Sequence, residues 1–371
     1  MPAAPAVAAP RRIQWGGAVL ASILAVATLH AATGFGDPVV AALFAIGAAL
    51  GAAFVWFGYG FTGSFADLIL RRDGRALGAA FIVPAVAALV VIPIGATVEG
   101  YSRFVTPLGP VLVAGAFIFG IGMQLAGACG SGTLVAVGQG SRRMWVALPF
   151  FCLGGVLGTT LLPALASVPD LGPLDLPALL GPWWGLVVNQ ALLLSMALVI
   201  LRGAKPTREQ LLAGAVIGLL AAVLFLASGA PWGITFGLTL WGAQALTAVG
   251  VDLTALAFWS EDGAATLLAG PVFALHGALT DAAILIGAMA TAAARGTMRH
   301  GRKLGWQAAA GAVAGGLLMG VGARLSAGCN IGAFLGGASS GSLHGIVWLV
   351  AAIPGSWLGL RLRAWLSRGA P

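Results

Sequence analysis

Charge is scarce in this chain. Only 8% of its 371 residues are Asp, Glu, Lys or Arg, where a soluble globular protein carries about 25%. With 59% hydrophobic residues and a mean hydropathy of +0.99, that shortage excludes an ordinary soluble fold. No hydrophilic stretch is long enough to form a separate soluble domain. Cysteine is rare as well: there are three, with no CxxC and no Cys/His zinc spacing, which excludes a disulfide framework and gives no reason to expect a metal. No Walker A pattern occurs, so nothing points to ATP as a driver, and no cofactor is expected. The basic excess, 19 Lys and Arg against 11 Asp and Glu, does not mark a nucleic-acid binder. The basic residues come in short clusters between apolar runs, the pattern that sets orientation in a membrane.

What the chain does have is long apolar runs. Stretches able to cross a bilayer lie at about 13–33, 38–58, 76–97, 108–126, 144–168, 183–201, 209–228, 264–294, 305–325 and 343–361. Basic clusters sit at Arg11/Arg12, Arg71/Arg72/Arg75, Arg142/Arg143, Arg202/Lys205/Arg208, Arg295/Arg299/Arg302/Lys303 and Arg361/Arg363/Arg368, and hold 17 of the 19 Lys and Arg residues. Counting crossings puts them all on one face, the cytoplasm. The opposite loops carry Asp37, Glu99, Asp170 and Asp175 with a single arginine, Arg103. The first apolar run is long for a signal-peptide core and lacks an obvious cleavage site, so it reads as a retained span. Residues 229–262 are apolar but punctuated by Pro231, Gly233, Gly237, Gly242 and Gly250. To keep the parity they must dip into the membrane and return rather than cross it.

Residues 113–132, VAGAFIFGIGMQLAGACGSG, recur 200 positions later as VAGGLLMGVGARLSAGCNIG at 313–332, and eight of the twenty positions are identical without a gap. Two of the three cysteines, Cys129 and Cys329, fall on that register. The parity makes one copy run outside to inside and the other the reverse. The expected architecture is therefore an all-α polytopic membrane protein with an inverted-topology repeat, about nine or ten transmembrane helices and short re-entrant half-helices. It divides into a cytoplasmic tail at 1–12, a first membrane repeat at 13–182 and a second at 183–371.

Each copy ends in a glycine-rich break, Gly127 to Gly132 and Ala327 to Gly332. Non-helical backbone at membrane depth is allowed only where it is buried or lines a cavity. A half-helix restarting there presents free N–H groups to an anion, and a thiol adds a soft contact and a weak donor. This is a fitting place for a small sulfur-containing anion. Gly130, Gly132 and Gly332 are expected to expose backbone N–H groups, and Ser131, Asn330 and Gln139 to offer polar contacts to substrate oxygens, with Gln124 also on the path. Arg324, at the repeat position of Gln124, is expected to attract the anion or form an ion pair. Gly115, Gly120, Gly315 and Gly320 read as close helix contacts, and Cys152, outside either motif, as a packing residue.

The segments GIGMQLAGACGSGTL and GGLLMGVGARLSAGCNIG closely resemble the paired signatures of the YeeE/YedE family of sulfur transporters. The resemblance implies an inverted-repeat protein of the bacterial inner membrane that takes up thiosulfate. It also implies that motif cysteines pass the ion along a narrow central path by hydrogen bonds, a role that falls on Cys129 and Cys329. Related members are linked to other sulfur or selenium species, and a cytosolic sulfur-carrier protein is an implied partner. The family usually has another cysteine in an FCFTGALRD-like segment. The corresponding run here, Tyr59 to Asp67, reads YGFTGSFAD, so Gly60 stands in that place, with Thr62 and Ser64 as possible replacement donors. The alternative to a non-enzymatic transporter is a membrane sulfurtransferase holding a persulfide on Cys129.

Asp67 and Asp281, in GSFAD and GALTD, look like a fainter echo of the duplication with a structural role. His276 and His344 read as core histidines or proton carriers.

Overall fold

The computed structural model describes residues 13–33, 39–298 and 304–368. Arg11, Arg12, Asp37, Arg299, Arg302, Lys303 and the 1–12 tail lie outside the described residues. Among those described there is no strand, only an isolated antiparallel bridge between Asp175 and Ser342. The first half contains α1 (Trp15–Thr33), α2 (Val40–Phe57), α3 (Phe61–Arg71), α4 (Arg75–Ala79), α5 (Ile82–Thr97), α6 (Pro110–Ala126), α7 (Gly130–Gly138) and α8 (Arg142–Leu165). The second contains α9 (Leu176–Leu180), α10 (Pro182–Leu201), α11 (Arg208–Ser228), α12 (Thr235–Ala248), α13 (Ala257–Ser260), α14 (Asp262–Ala269), α15 (His276–Ala294) and α16 (Trp306–Leu325). After these come a π-helical segment (Asn330–Gly336), α17 (Gly337–Ser339) and α18 (His344–Arg368). Apolar sequence favours helix here because a helix satisfies its own backbone where lipid cannot.

Ten of the described helical stretches are long and apolar enough to cross a membrane. They follow the expected runs with two corrections, the first being that the run at 76–97 is divided into α4 and α5 by a turn at residues 80–81. Second, the run at 264–294 is not a single helix: α14 ends at Ala269, a short 3₁₀ turn covers Val272–Ala274, and α15 starts at His276. The Gly270-Pro271 pair explains it, since proline lacks the N–H needed to continue a helix and disfavours helical backbone at the residue before it. Residues 229–262 form one fourteen-residue helix, α12, and the four-residue α13, each shorter than a span.

The centre of the molecule is a crossing of α6, α8, α16 and α18, made close by missing side chains. A Cβ on Gly122 would lie 2.7 Å from the Gly315 carbonyl oxygen, and one on Gly322 would lie 2.7 Å from that of Gly115. Repeat-related glycines thus face each other across α6 and α16. Gly120 abuts the backbone of α18 at Ala352, and Gly320 abuts that of α8 at Phe151. Packing of this kind holds helices together in lipid, where apolar burial alone gives no preference for helix over acyl chain.

One end of the bundle is strapped by a partly buried ion pair. Arg103 pairs with Asp175 through both guanidinium NH2 groups and donates a further bond to the Ser340 carbonyl at 3.1 Å. The Phe104 N–H donates to Ser340 Oγ at 2.9 Å, and the Leu343 N–H to the Leu174 carbonyl at 3.0 Å. Two loops are thereby fastened to the turn that leads into α18.

Candidate functional site

Both motif cysteines stand where a helix breaks and restarts. Gly127 and Ala327, at the same repeat position, adopt left-handed backbone with φ of 89° and 59°. Glycine takes that conformation freely, whereas alanine there carries strain. Each chain then turns, and the next residues start a new helix with the cysteine as N-cap. The Gly132 N–H donates to the Cys129 Sγ and the Ile331 N–H to the Cys329 Sγ, both at 3.4 Å. The thiol thus does the work usually done by a Ser or Asp side chain at this position.

The two breaks meet. A Cβ on Gly130 would lie 3.1 Å from the Cys329 Sγ, so the start of one half-helix rests on the thiol of the other. Cys129 and Cys329 are buried together in the centre, 1% and 0% exposed. Ser131 Oγ lies 3.6 Å from the Cys129 Sγ. Phe119, Phe151 and Trp348 stack on one another in the same buried core. The Trp348 indole N–H donates to Ser326 Oγ at 2.9 Å and fixes the end of α16.

Asn330 is fully buried, and neither its amide nitrogen nor its oxygen has a partner among the described residues. Orphaned polar groups at depth are costly, and such a group beside a helix break is suited to a polar ligand. Asp281, on α15, is likewise buried with both oxygens unpartnered among the described residues, and lies against Gly237 of α12. Asp67 differs: it pairs with Arg71 at 3.2 Å on the surface. The echo between the two aspartates is one of sequence and does not extend to environment.

Arg324 lines a cavity of about 700 Å³ together with Trp232, Phe236, His276, Ala327 and Gly332. Its guanidinium lies 5.2 Å from the Phe236 ring centre and 4.9 Å from that of Phe258. No carboxylate lies within ion-pair distance of it among the described residues. Aromatic faces hold the cation without neutralising it, which leaves its charge for an anion in the cavity. Because Gly332 also lines this space, the cavity reaches the second break.

Gln124 is buried and donates from Nε2 to the Thr62 carbonyl at 3.1 Å, tying α6 to the start of α3. That contact brings the Tyr59–Asp67 run beside the first motif. Gly60 lines a second cavity of about 240 Å³ with Tyr59, Ser64, Thr207, Glu209 and Gln210. Ser64 Oγ donates to the Gly60 carbonyl at 2.8 Å, while Thr62 Oγ1 has no partner among the described residues. His344 is a buried core residue with Nδ1 2.8 Å from Ser342 Oγ. Cys152 is buried against Gly242 of α12. The sequence singled out Arg324 and both breaks, but not the contact of Gly130 on the Cys329 thiol or the lone Tyr59 hydroxyl. Tyr59 left a trace in the chain only as a polar neighbour of Gly60.

The profile of a family described as Sulphur transport matches residues 57–358. The Thiosulfate transporter TsuA of Spirochaeta thermophila is 28% identical over 269 residues, 66% of this chain and 75% of that protein. The Probable transporter YedE of Salmonella typhimurium is 32% identical over 149 residues, 39% of this chain and 35% of its own length. The Probable transporter YedE of Escherichia coli is 30% identical over a stretch of the same length, again 35% of that protein. The chain thus spans about a third of the YedE relatives and three quarters of TsuA. Since the profile takes in both cysteine-capped breaks, the chain belongs to the sulphur transport family and is a multi-pass membrane protein.

Proposed function

We propose that this protein takes up thiosulfate across the bacterial inner membrane, through a path running from the Arg324 cavity past Cys329 and Cys129 to the Gly60 cavity. The observation that carries this reading is the abutment of two repeat-related, thiol-capped half-helices at the centre of the bundle. Thiosulfate has a soft terminal sulfur and three hard oxygens. A thiol offers a polarisable contact for the first and an S–H donor for the second. Gly130, Ser131, Gly132, Asn330 and Gly332 add backbone and side-chain groups at the helix starts. Gln124 acts indirectly, by holding α3 against α6. TsuA, described as a thiosulfate transporter, supports this choice among sulfur anions.

The reciprocal glycine contacts of α6 and α16 support two repeats, 13–182 and 183–371, inserted in opposite senses. The clustered arginines support a cytoplasmic position for the Gly60 end. On that face a cytosolic sulfur-carrier protein would receive the product.

Growth on thiosulfate as sole sulfur source tests the path. Cys129→Ala and Cys329→Ala should each impair it at normal membrane abundance, and normal growth of both variants would sink the reading. Mass spectrometry of thiosulfate-treated protein tests the sulfurtransferase alternative. There the Cys129 thiolate takes the outer sulfur and releases sulfite, so a stable persulfide on Cys129 would replace passage of the intact ion.

A further inference from the structure

The path described above leaves one buried hydroxyl idle, that of Tyr59. Tyr59 lies in the short connection between α2 and α3, just after Gly58 turns the chain with a φ of 59°. Its ring is held edge-on to Phe61 and tilted against Phe54, with centroids 5.6 and 5.5 Å apart. Packing therefore sets the direction of its hydroxyl. That hydroxyl is shielded from solvent and has no hydrogen-bond partner among the described residues. The Gln124–Thr62 hydrogen bond holds its segment against α6, the helix that ends at the Cys129 break, and Tyr59 lines the Gly60 cavity.

A buried hydroxyl without a partner is unfavourable, and its site is suited to a passing acceptor. The nearby groups serve less well. Gly60 has no side chain, and the Ser64 hydroxyl is spent on the Gly60 carbonyl. The Thr62 hydroxyl is unpartnered among the described residues as well, but Thr62 does not line the Gly60 cavity. Tyr59 immediately precedes Gly60, so its hydroxyl stands one residue from the position where the family resemblance implies a thiol.

We infer that the Tyr59 hydroxyl is the hydrogen-bond donor that follows Cys129 on the inward side, standing in for the absent thiol at Gly60. The inference rests on the proposed passage of thiosulfate. A phenol O–H is a hard donor that binds the oxygens of the anion rather than its terminal sulfur. Gly60 offers a direct test because it can accept a thiol. Its backbone is extended, with φ of −176°, and a Cβ there would meet nothing within 4 Å.

Uptake of radiolabelled thiosulfate should be compared at equal membrane abundance in wild type, Tyr59→Phe, and Tyr59→Phe combined with Gly60→Cys. Tyr59→Phe, which keeps the ring, should lower uptake about tenfold, the usual scale for one hydrogen bond to a charged group. Adding Gly60→Cys should restore most of it. Unchanged uptake in Tyr59→Phe, with Cys129→Ala impaired, would overturn this inference and leave the thiol path standing. Loss without rescue would make Tyr59 a packing residue and overturn it too. A wild-type protein that takes up no thiosulfate would instead overturn the proposed function itself.

Discussion

Arg324 shows how a charge is kept usable inside a membrane protein. Two phenyl faces hold its guanidinium, and no carboxylate competes for it among the described residues. Replacing it by glutamine removes the charge while keeping a polar side chain of moderate length. Arg324→Gln should raise the KM for thiosulfate uptake about tenfold with a smaller effect on the maximal rate, since a charge-assisted hydrogen bond is worth about 1.5–3 kcal/mol. An unchanged KM in transport kinetics would show that the cavity charge serves packing alone. At this scale the chain was readable where glycine and cysteine occur together, because a thiol beside a run of small residues fits few roles. Asn330 and Ser131 were visible as polar letters in apolar surroundings. The isolation of Asp281 was not, because it depends on α12 closing over it at Gly237, a contact between residues far apart in the chain.

At the scale of elements, the central helices are fitted to one another through glycine. A methyl group on Gly122 would fall 2.6 Å from the Met319 nitrogen and 2.7 Å from the Gly315 oxygen, both backbone atoms that cannot swing aside. Gly122→Ala should therefore lower the stability of the detergent-solubilised protein by about 1–3 kcal/mol, the usual cost of overpacking. Thermal unfolding against Gly63→Ala, where the added carbon meets nothing within 4 Å, measures it. Equal melting temperatures would show that α6 and α16 do not touch as described. Helix positions were legible from apolar length, since a bilayer demands about 20 residues per crossing. The break between α14 and α15 was not, although Gly270 and Pro271 were in view. Both residues are apolar enough to pass within a hydropathy run, and their effect is on backbone geometry.

The whole molecule carries a sided distribution of charge. Cysteine reporters placed at Asp170 and at Lys205, in a background where the native cysteines are serine, should differ in accessibility. A membrane-impermeant thiol reagent should label Asp170→Cys in intact cells and reach Lys205→Cys only after the membrane is opened. Labelling of both from outside would overturn the orientation read from the arginine clusters. The 200-residue echo was legible because eight of twenty letters recur without a gap. The contact of Gly130 on the Cys329 thiol was not, because it arises only when the two breaks are brought together in space.

The glycine crossing also limits how transport can proceed. Helices in backbone-to-backbone contact have no soft side chains between them to absorb a slide or a tilt, and α6, α8, α16 and α18 are joined in this way. On the proposed path, the frame around the thiols would then act as a fixed aperture. Motion would be left to the pieces outside it, among them α3, α12 and the loops strapped by Arg103 and Asp175. The proposed passage would then depend on how readily one donor hands the ion to the next.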